Sequence, residues 1–356
     1  MIPVIVSFPK LRDKLFFSDN ISEEFNGSLR NQILHIWDII DDHTLTEIFE
    51  KYDPPKYLTF DSASFYESTL GIPLYTVDMW IAAELNIFKK EMPDCLDLQN
   101  LQTTHTANFQ INKKQINRFL AIKFCEIFEI DVDYTWSGIG KTFDLQHVLE
   151  EQHNIKDLVI NKYWSDILSP ISKFERKWIP RTTTTDLQKV DGPTRNMGNT
   201  AGVWKNGLRD IVSSSAVSLI TESVWNQKAI TFSEKTVYAM MGLTFPIWIG
   251  GYRAAAEWKN KGFDIFEDII DHSYECMSTL IERCFYAFYL NRNILTNFEL
   301  AKRLREENMS RLLSNQQKIT SEHIEAYNRD IIKSWPIELQ DPILESFYRH
   351  LPGLNK

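Results

Sequence analysis

The chain has 356 residues, of which 43% are hydrophobic and 24% charged, and its formal net charge is −9. This length predicts two domains of roughly 150 residues each, and the composition argues against disorder over most of the chain. The acidic balance excludes a protein that coats nucleic acid with its whole surface, although it allows a local basic channel. Without a signal peptide or a run of ~18 apolar residues, we expect a cytoplasmic protein with no membrane span, in the host cytoplasm if viral.

The first part of the chain predicts alternating strands and helices. The β-branched segment 1–8 predicts a strand, and the apolar spacing over 29–40 predicts a helix. A proline turn precedes a strand predicted over Tyr57–Phe60, and TVDMWIAAELNIFKK predicts a helix over 76–90. The polar, proline-punctuated stretch that follows places a domain boundary near residue 105.

A second α/β unit follows this boundary. ANFQI predicts a strand, and QINRFLAIKFCEIFEI predicts an amphipathic helix. From about 137 to 215 the pattern weakens into a long loop-rich insertion, of the kind that is usually functional or mobile.

Beyond the insertion the pattern is β-α-β-α-β with short connections, which predicts a parallel sheet. AVSLITE is its first predicted strand, RAAAEWKNKG a helix that ends at Gly262, and FDIFED a further strand. Everything after Asp271 predicts helices.

The predicted fold class is therefore α/β, with two Rossmann-like domains facing a cleft. The first domain covers 1–105 and the second covers 106–300, with the insertion inside it. Residues 301–356 form C-terminal helices that pack back across the hinge.

One helix start carries an unusual pair of charges. In ITFSEKTVYAMMGLTFPIWIGG, Thr231 or Ser233 caps a helix whose first turn holds Glu234 and Lys235. A lysine opposes the helix dipole there, which makes sense if an external anion such as a phosphate is bound. The alternative is an ordinary solvated helix start. Gly250 then follows the predicted strand at its carboxyl end, where ligands bind in open α/β sheets.

The segment FSEKTVYAMMGLTFPIWIG resembles the donor-binding stretch of the fucosyltransferase-type group of GT-B glycosyltransferases. It is also similar to glycosyltransferase-like proteins of bacteria and phages, whose pattern continues through a glycine turn, GF and D-x-S-Y. The chain follows that order from Thr221 and Glu222 to Tyr274. Upstream, NFQINKKQINRFL is similar to the same group, with Asn112 in a turn and Arg118 on the following helix.

The resemblance implies a GT-B-like fold and a metal-independent, inverting transfer of a sugar from a nucleotide-sugar donor to an acceptor hydroxyl. It implies that Arg118 and Lys235 contact the donor diphosphate and that Glu234 holds the ribose. We expect Asn112, Glu222 and Gly250 to line the same donor site. No cofactor is expected, because the nucleotide sugar is itself the donor substrate.

The sequence leaves two acceptors open, a glycan and a hydroxymethylated base in phage DNA. A DNA acceptor would have to be accommodated by the basic and glycine-containing stretch 181–209. A different class of function is a non-catalytic, glycosyltransferase-like module for binding or assembly. On that alternative, Arg118 is a surface arginine of an ordinary helix.

Direct displacement at the sugar needs a base to take the acceptor proton, and we select Asp61 because it directly follows a predicted strand. Its alternative role is a turn cap. The DVD at 131–133 has the composition of a metal site, but the helical pattern before it favours a helix-end loop. The four cysteines have neither zinc nor redox spacing and are expected to be buried free thiols.

Overall fold

The structure is a computed structural model that describes residues 4–8, 33–36, 56–60, 63–64, 71–77, 81–82, 85, 101–111, 115–136, 157–174, 204–222, 224–225 and 229–350. Within these residues it contains two four-stranded parallel sheets and many helices, so the predicted α/β class is confirmed. The division into two Rossmann-like domains across a cleft stays a prediction.

The first sheet contains four parallel strands in the spatial order β1-β2-β3-β5. They are β1 (Val4–Phe8), β2 (Ile33–Ile36), β3 (Tyr57–Phe60) and β5 (Leu74–Thr76). The strand predicted over 57–60 is confirmed, and the strand predicted over 1–8 is confirmed for its described residues, 4–8. The helix predicted over 29–40 is wrong, because β2 occupies its centre; a short apolar run such as ILHI fits a parallel strand and a helix equally well by spacing.

The second sheet is also parallel, in the order β11-β8-β6-β7. Its strands are β6 (His105–Ile111), β7 (Val132–Trp136), β8 (Ser215–Ile220) and β11 (Phe245–Trp248). A small antiparallel sheet joins β4 (Ala63–Ser64) to β10 (Ala229–Thr231), which also pairs with β9 (Val224–Trp225). The backbone after β3 is therefore hydrogen-bonded to the hairpin that leads into the unusual helix start.

Helices account for most of the remaining described residues, and the helical content predicted after Asp271 is confirmed. They are α1 (Ile116–Ile127), α2 (Leu158–Lys162), α3 (Trp164–Leu168), α4 (Arg209–Ser213), α5 (Glu234–Met241), α6 (Ala254–Asn260), α7 (Leu280–Leu290), α8 (Arg292–Thr296), α9 (Phe298–Glu307), α10 (Met309–Thr320), α11 (His323–Lys333) and α12 (Ile337–His350).

Two details of the second half differ from the prediction. The loop-rich insertion contains α2, α3 and α4, so it is not a continuous loop. The segment FDIFED is not a strand: the Asp264 carboxylate accepts the backbone N–H of Phe266, and Phe266 has a positive φ of 59°. These features bend the chain into a turn, whereas strand residues stay extended.

Two hydrophobic cores lie on either side of the second sheet. One is built around Phe109 and Phe124, and the other around Trp248 and Trp258. Tyr57 of the first sheet belongs to the second core, and its hydroxyl donates to Glu338 of α12 at 2.5 Å. The first sheet therefore contacts the C-terminal helices directly.

Candidate functional site

The carboxyl edge of the second sheet has the topology of a ligand crevice. The chain runs from β6 outward to β7 and then continues with β8 on the other side of β6. The direction of the connections therefore reverses between β6 and β8. In open α/β sheets, ligands bind beyond the carboxyl ends of the strands at such a switch point.

Three chain segments meet at this edge. The Asn117 side chain at the start of α1 donates to the backbone oxygen of Glu222, just after β8, at 3.1 Å. A Cβ added to Gly250, after β11, would lie 3.4 Å from the Cβ of Asn117. Asn117, Glu222 and Gly250, which are far apart in the sequence, are thus neighbours in the fold, and Arg118 directly follows Asn117 on α1.

The start of α5 brings the predicted charges to this edge. Ser233 is the N-cap: its backbone is extended, and its hydroxyl accepts the backbone N–H of Lys235 at 3.3 Å. The predicted cap at Ser233 is therefore confirmed. The carboxyl end of α5 is held as well, since the buried Arg305 donates to the backbone oxygens of Gly242 and Leu243.

Lys235 is not part of a solvated helix start. Only 6% of its side chain is exposed, and its Nζ lies 3.3 Å from the Ser233 hydroxyl and 3.1 Å from Glu234 Oε1. Glu234 is more accessible, with 32% of its side chain exposed. The cation is therefore held within the protein while its carboxylate partner reaches solvent.

Arg118 is buried as well, with 2% of the residue exposed, so the surface-arginine alternative does not hold. Burial acts to raise the pKa of Glu234, but Lys235 above all, and also Arg118, outweigh it and keep the pKa below its ordinary value. Two buried cations and the Glu234 carboxylate therefore lie close together at this edge of the sheet.

The Glu222 carboxylate already has partners inside the protein. It accepts the backbone N–H of Ser233 at 3.1 Å, the Thr236 hydroxyl at 2.6 Å and the Ser233 hydroxyl. Burial raises the pKa of Glu222, while Lys235 and the two hydroxyls act in the opposite direction. A direct contact between Glu222 and a donor stays a prediction. In the structure, the Glu222 carboxylate binds Ser233 and Thr236 at the start of α5.

Gly250 serves a packing role at the site. Its φ is +82°, and an added Cβ would lie 2.7 Å from Leu280 Cδ1. Its backbone oxygen accepts a hydrogen bond from Arg283 at 3.1 Å. The close approach that the glycine permits in this structure is therefore to α7, whereas its contact with a donor remains a prediction.

The D-x-S-Y segment supports the same loop. Asp271 accepts the backbone N–H of Ser273 at 2.9 Å, and Tyr274 is buried in the core. The neighbouring Glu275 accepts the backbone N–H of Ala255 at 2.5 Å, which holds the first turn of α6 after the glycine pair.

Several contributors could not be identified from the sequence. No sequence motif singles out Asn117, yet its side chain joins α1 to the backbone of Glu222. Trp248 donates to the Thr236 hydroxyl at 3.0 Å and so extends the Glu222 network into β11. The only sequence signal for Thr236 was its place one turn into a capped helix.

Two predicted site residues, Asp61 and Asn112, lie outside the described residues, as does 181–203 of the proposed DNA-binding stretch. The DVD prediction of a helix-end loop is wrong in part, because Val132 and Asp133 belong to β7, at the end of the sheet opposite the crevice. Across the described ranges, no cluster of three His, Cys, Asp or Glu side chains is placed to hold a metal ion. Nor is any helix in those ranges both long and apolar enough to span a membrane.

The cysteines follow the prediction only in part. Cys125 and Cys284 are buried free thiols, whereas Cys276 is exposed and Cys95 lies outside the described residues.

Comparison of the chain with protein-family models, curated proteins and solved structures finds no match.

Proposed function

We propose that this protein is a metal-independent glycosyltransferase that moves a sugar from a nucleotide-sugar donor to an acceptor hydroxyl. The observation that carries the proposal is the meeting of Arg118, Lys235 and Glu234 at the carboxyl edge of a parallel sheet, beside the topological switch point. The ordered motifs that resemble the fucosyltransferase-type group supply the reaction class.

The chemistry of the three side chains suits a departing nucleoside diphosphate. Negative charge builds on the diphosphate as the bond to the sugar breaks, and preorganised cations stabilise that charge most effectively where water is excluded. Both Arg118 and Lys235 are buried, at 2% and 6% exposed. The dipole of α5 adds a favourable field for an anion at the same place.

The Lys235–Glu234 ion pair would exchange partners when a donor binds. The ammonium is held against Ser233, whereas the Glu234 carboxylate is one-third exposed and is the more accessible partner. A diphosphate would replace it on Lys235, which frees the carboxylate to accept ribose hydroxyls. Asp61 remains our candidate base for the acceptor proton, and inversion at the sugar remains the expected outcome.

Turnover by the purified protein tests the proposal. We expect one member of a panel of UDP-, GDP-, CMP- and dTDP-sugars to be hydrolysed slowly without an acceptor, and faster with a suitable glycan or with DNA containing hydroxymethylated bases. Lys235→Met should abolish both rates, because the variant fills the same space without the cation. Lys259→Met is the control, since Lys259 is 56% exposed and pairs with Glu267 on the surface.

Binding of a nucleotide sugar without any turnover, unchanged by Lys235→Met, would instead favour the non-catalytic module. Release of free nucleotide at equal rates from the Lys235→Met variant and the wild-type protein would refute the assigned role of Lys235.

A further inference from the structure

The start of α5 contains a directed chain of hydrogen bonds. Both the ammonium and the backbone N–H of Lys235 approach the Ser233 hydroxyl at 3.3 Å. Neither group can accept a hydrogen bond, so the Ser233 oxygen must accept from them. The single proton of the Ser233 hydroxyl is then left to donate to Glu222.

The second oxygen of the Glu222 carboxylate has a matching arrangement. The indole N–H of Trp248 can only donate, so Thr236 accepts it at 3.0 Å and gives its own proton to Glu222 at 2.6 Å. The backbone N–H of Ser233 donates to the same oxygen at 3.1 Å. Three donors therefore converge on Glu222, which suits a group that only accepts.

We propose that Glu222 is a positioning residue for the donor site: its carboxylate fixes the direction of the Ser233 hydroxyl, and through it the place of the Lys235 ammonium. This inference rests on the proposed function, because Lys235 is the group that would meet the donor diphosphate. It assigns Glu222 an indirect role, in contrast to the direct donor contact expected from the sequence.

Glu222→Gln reverses the direction of this chain. In this variant, the amide nitrogen of the new side chain is disfavoured at the position that faces the Ser233 N–H and the Thr236 hydroxyl, because both of those groups are donors. It therefore faces the Ser233 hydroxyl and donates to it, which competes with Lys235 for the same oxygen lone pairs. The ammonium then loses Ser233 as an acceptor, keeps only the partly exposed Glu234 carboxylate, and turns away from Ser233.

The sign of the effect on binding separates positioning from simple electrostatics. Glu222→Gln removes a negative charge from the site, so a purely electrostatic role predicts equal or tighter binding of an anion. The positioning role predicts binding weakened by about tenfold, the factor expected when a hydrogen bond to a charged group is lost.

Thr236→Val is the matched control. It removes a hydrogen bond from the other carboxylate oxygen and leaves the Ser233 hydroxyl and Lys235 in place. We expect it to lower stability without changing the affinity for a nucleoside diphosphate.

The closing experiment has two arms, both at pH 8. In the first arm, calorimetric titration with GDP, UDP, CDP and dTDP compares the wild-type protein with Glu222→Gln and Thr236→Val. In the second arm, brief treatment with acetic anhydride and mass spectrometry measure the acetylation rate of Lys235 without any ligand. We expect acetylation at least severalfold faster in Glu222→Gln than in the other two proteins, with Lys259 as the exposed internal reference.

Equal or tighter binding by Glu222→Gln, or unchanged Lys235 acetylation, overturns the positioning role. Failure of the wild-type protein to bind any of the four compounds counts against the proposed function alone, because acetylation of Lys235 in Ser233→Ala still decides the positioning role: that variant removes the central oxygen of the chain without changing any charge. If Glu222→Gln does not fold, Ser233→Ala removes the central oxygen of the chain and should produce the same faster acetylation of Lys235.

Discussion

Replacing Gly250 with alanine should destabilise the protein at the candidate site. Gly250 has a φ of +82°, a region that costs an L residue about 1–2 kcal/mol. The new Cβ would lie 2.7 Å from Leu280 Cδ1 and 3.2 Å from Cys284 Sγ, both shorter than normal carbon contacts. Leu280 and Cys284 are themselves buried, so neither can move into open space.

The magnitude is the sum of the backbone and packing contributions. Overpacking of a buried site typically costs about 1–3 kcal/mol, so Gly250→Ala should lower the free energy of unfolding by about 2–5 kcal/mol. The new Cβ would also lie 3.4 Å from the Cβ of Asn117, whose side chain holds the backbone oxygen of Glu222. We therefore expect weaker donor binding as well as lower stability.

Gly71→Ala separates the two contributions. Gly71 also has a positive φ, of 68°, but an added Cβ meets nothing within 4 Å. Its cost should be the backbone contribution alone, about 1–2 kcal/mol. Urea unfolding monitored by circular dichroism measures both variants. Equal costs for Gly250→Ala and Gly71→Ala would refute the packing account of the Gly250 loop.

Three further predictions concern groups around the site. Burial raises the pKa of Glu275 to about 8, above its unfolded value, so the stability it contributes is complete below pH 4.5 and lost as the pH rises through 8. Urea unfolding from pH 5 to 8 should therefore show wild-type stability falling by up to about 4 kcal/mol relative to Glu275→Gln, and parallel curves would contradict this. Arg305→Met leaves the carbonyls of Gly242 and Leu243, just after α5, without their donor and should cost about 2–4 kcal/mol in urea unfolding. Arg303→Met, on the exposed side of the same helix as Arg305, should stay within about 0.5 kcal/mol. Similar losses in both would contradict the capping role. In the native protein, Cys276 should react with a maleimide before Cys125 and Cys284, because those two thiols are buried and inaccessible. Peptide mapping measures the order of reaction, and simultaneous reaction of all three would show that the core opens easily.

The parts of the fold that could be predicted are those in which the local sequence determines the secondary structure. The strand Tyr57–Phe60 lies between turn-forming residues, and α5 starts with the preferred N-cap Ser233, so both were found. The strand β2 could not be distinguished from a helix, because its four apolar residues fit both periods. The helices within the insertion are short, and five residues carry too little periodicity to identify one.

The candidate site was predictable in its charged residues but not in their connections. Lys235 was identified because a cation opposes the dipole at a helix start, and the structure buries it there. Nothing local indicates that Glu222 accepts from Ser233 and Thr236, or that Asn117 binds the backbone after β8, since those contacts depend on strand order. Only the three-dimensional arrangement of the sheet determines them.

Calorimetric titration of the protein with nucleoside diphosphates tests the central claim most directly. The claim predicts binding of at least one of GDP, UDP, CDP and dTDP at a single site, lost in Lys235→Met and retained in Lys259→Met. Absence of binding with all four compounds, or unchanged affinity in Lys235→Met, would contradict a donor site at the start of α5.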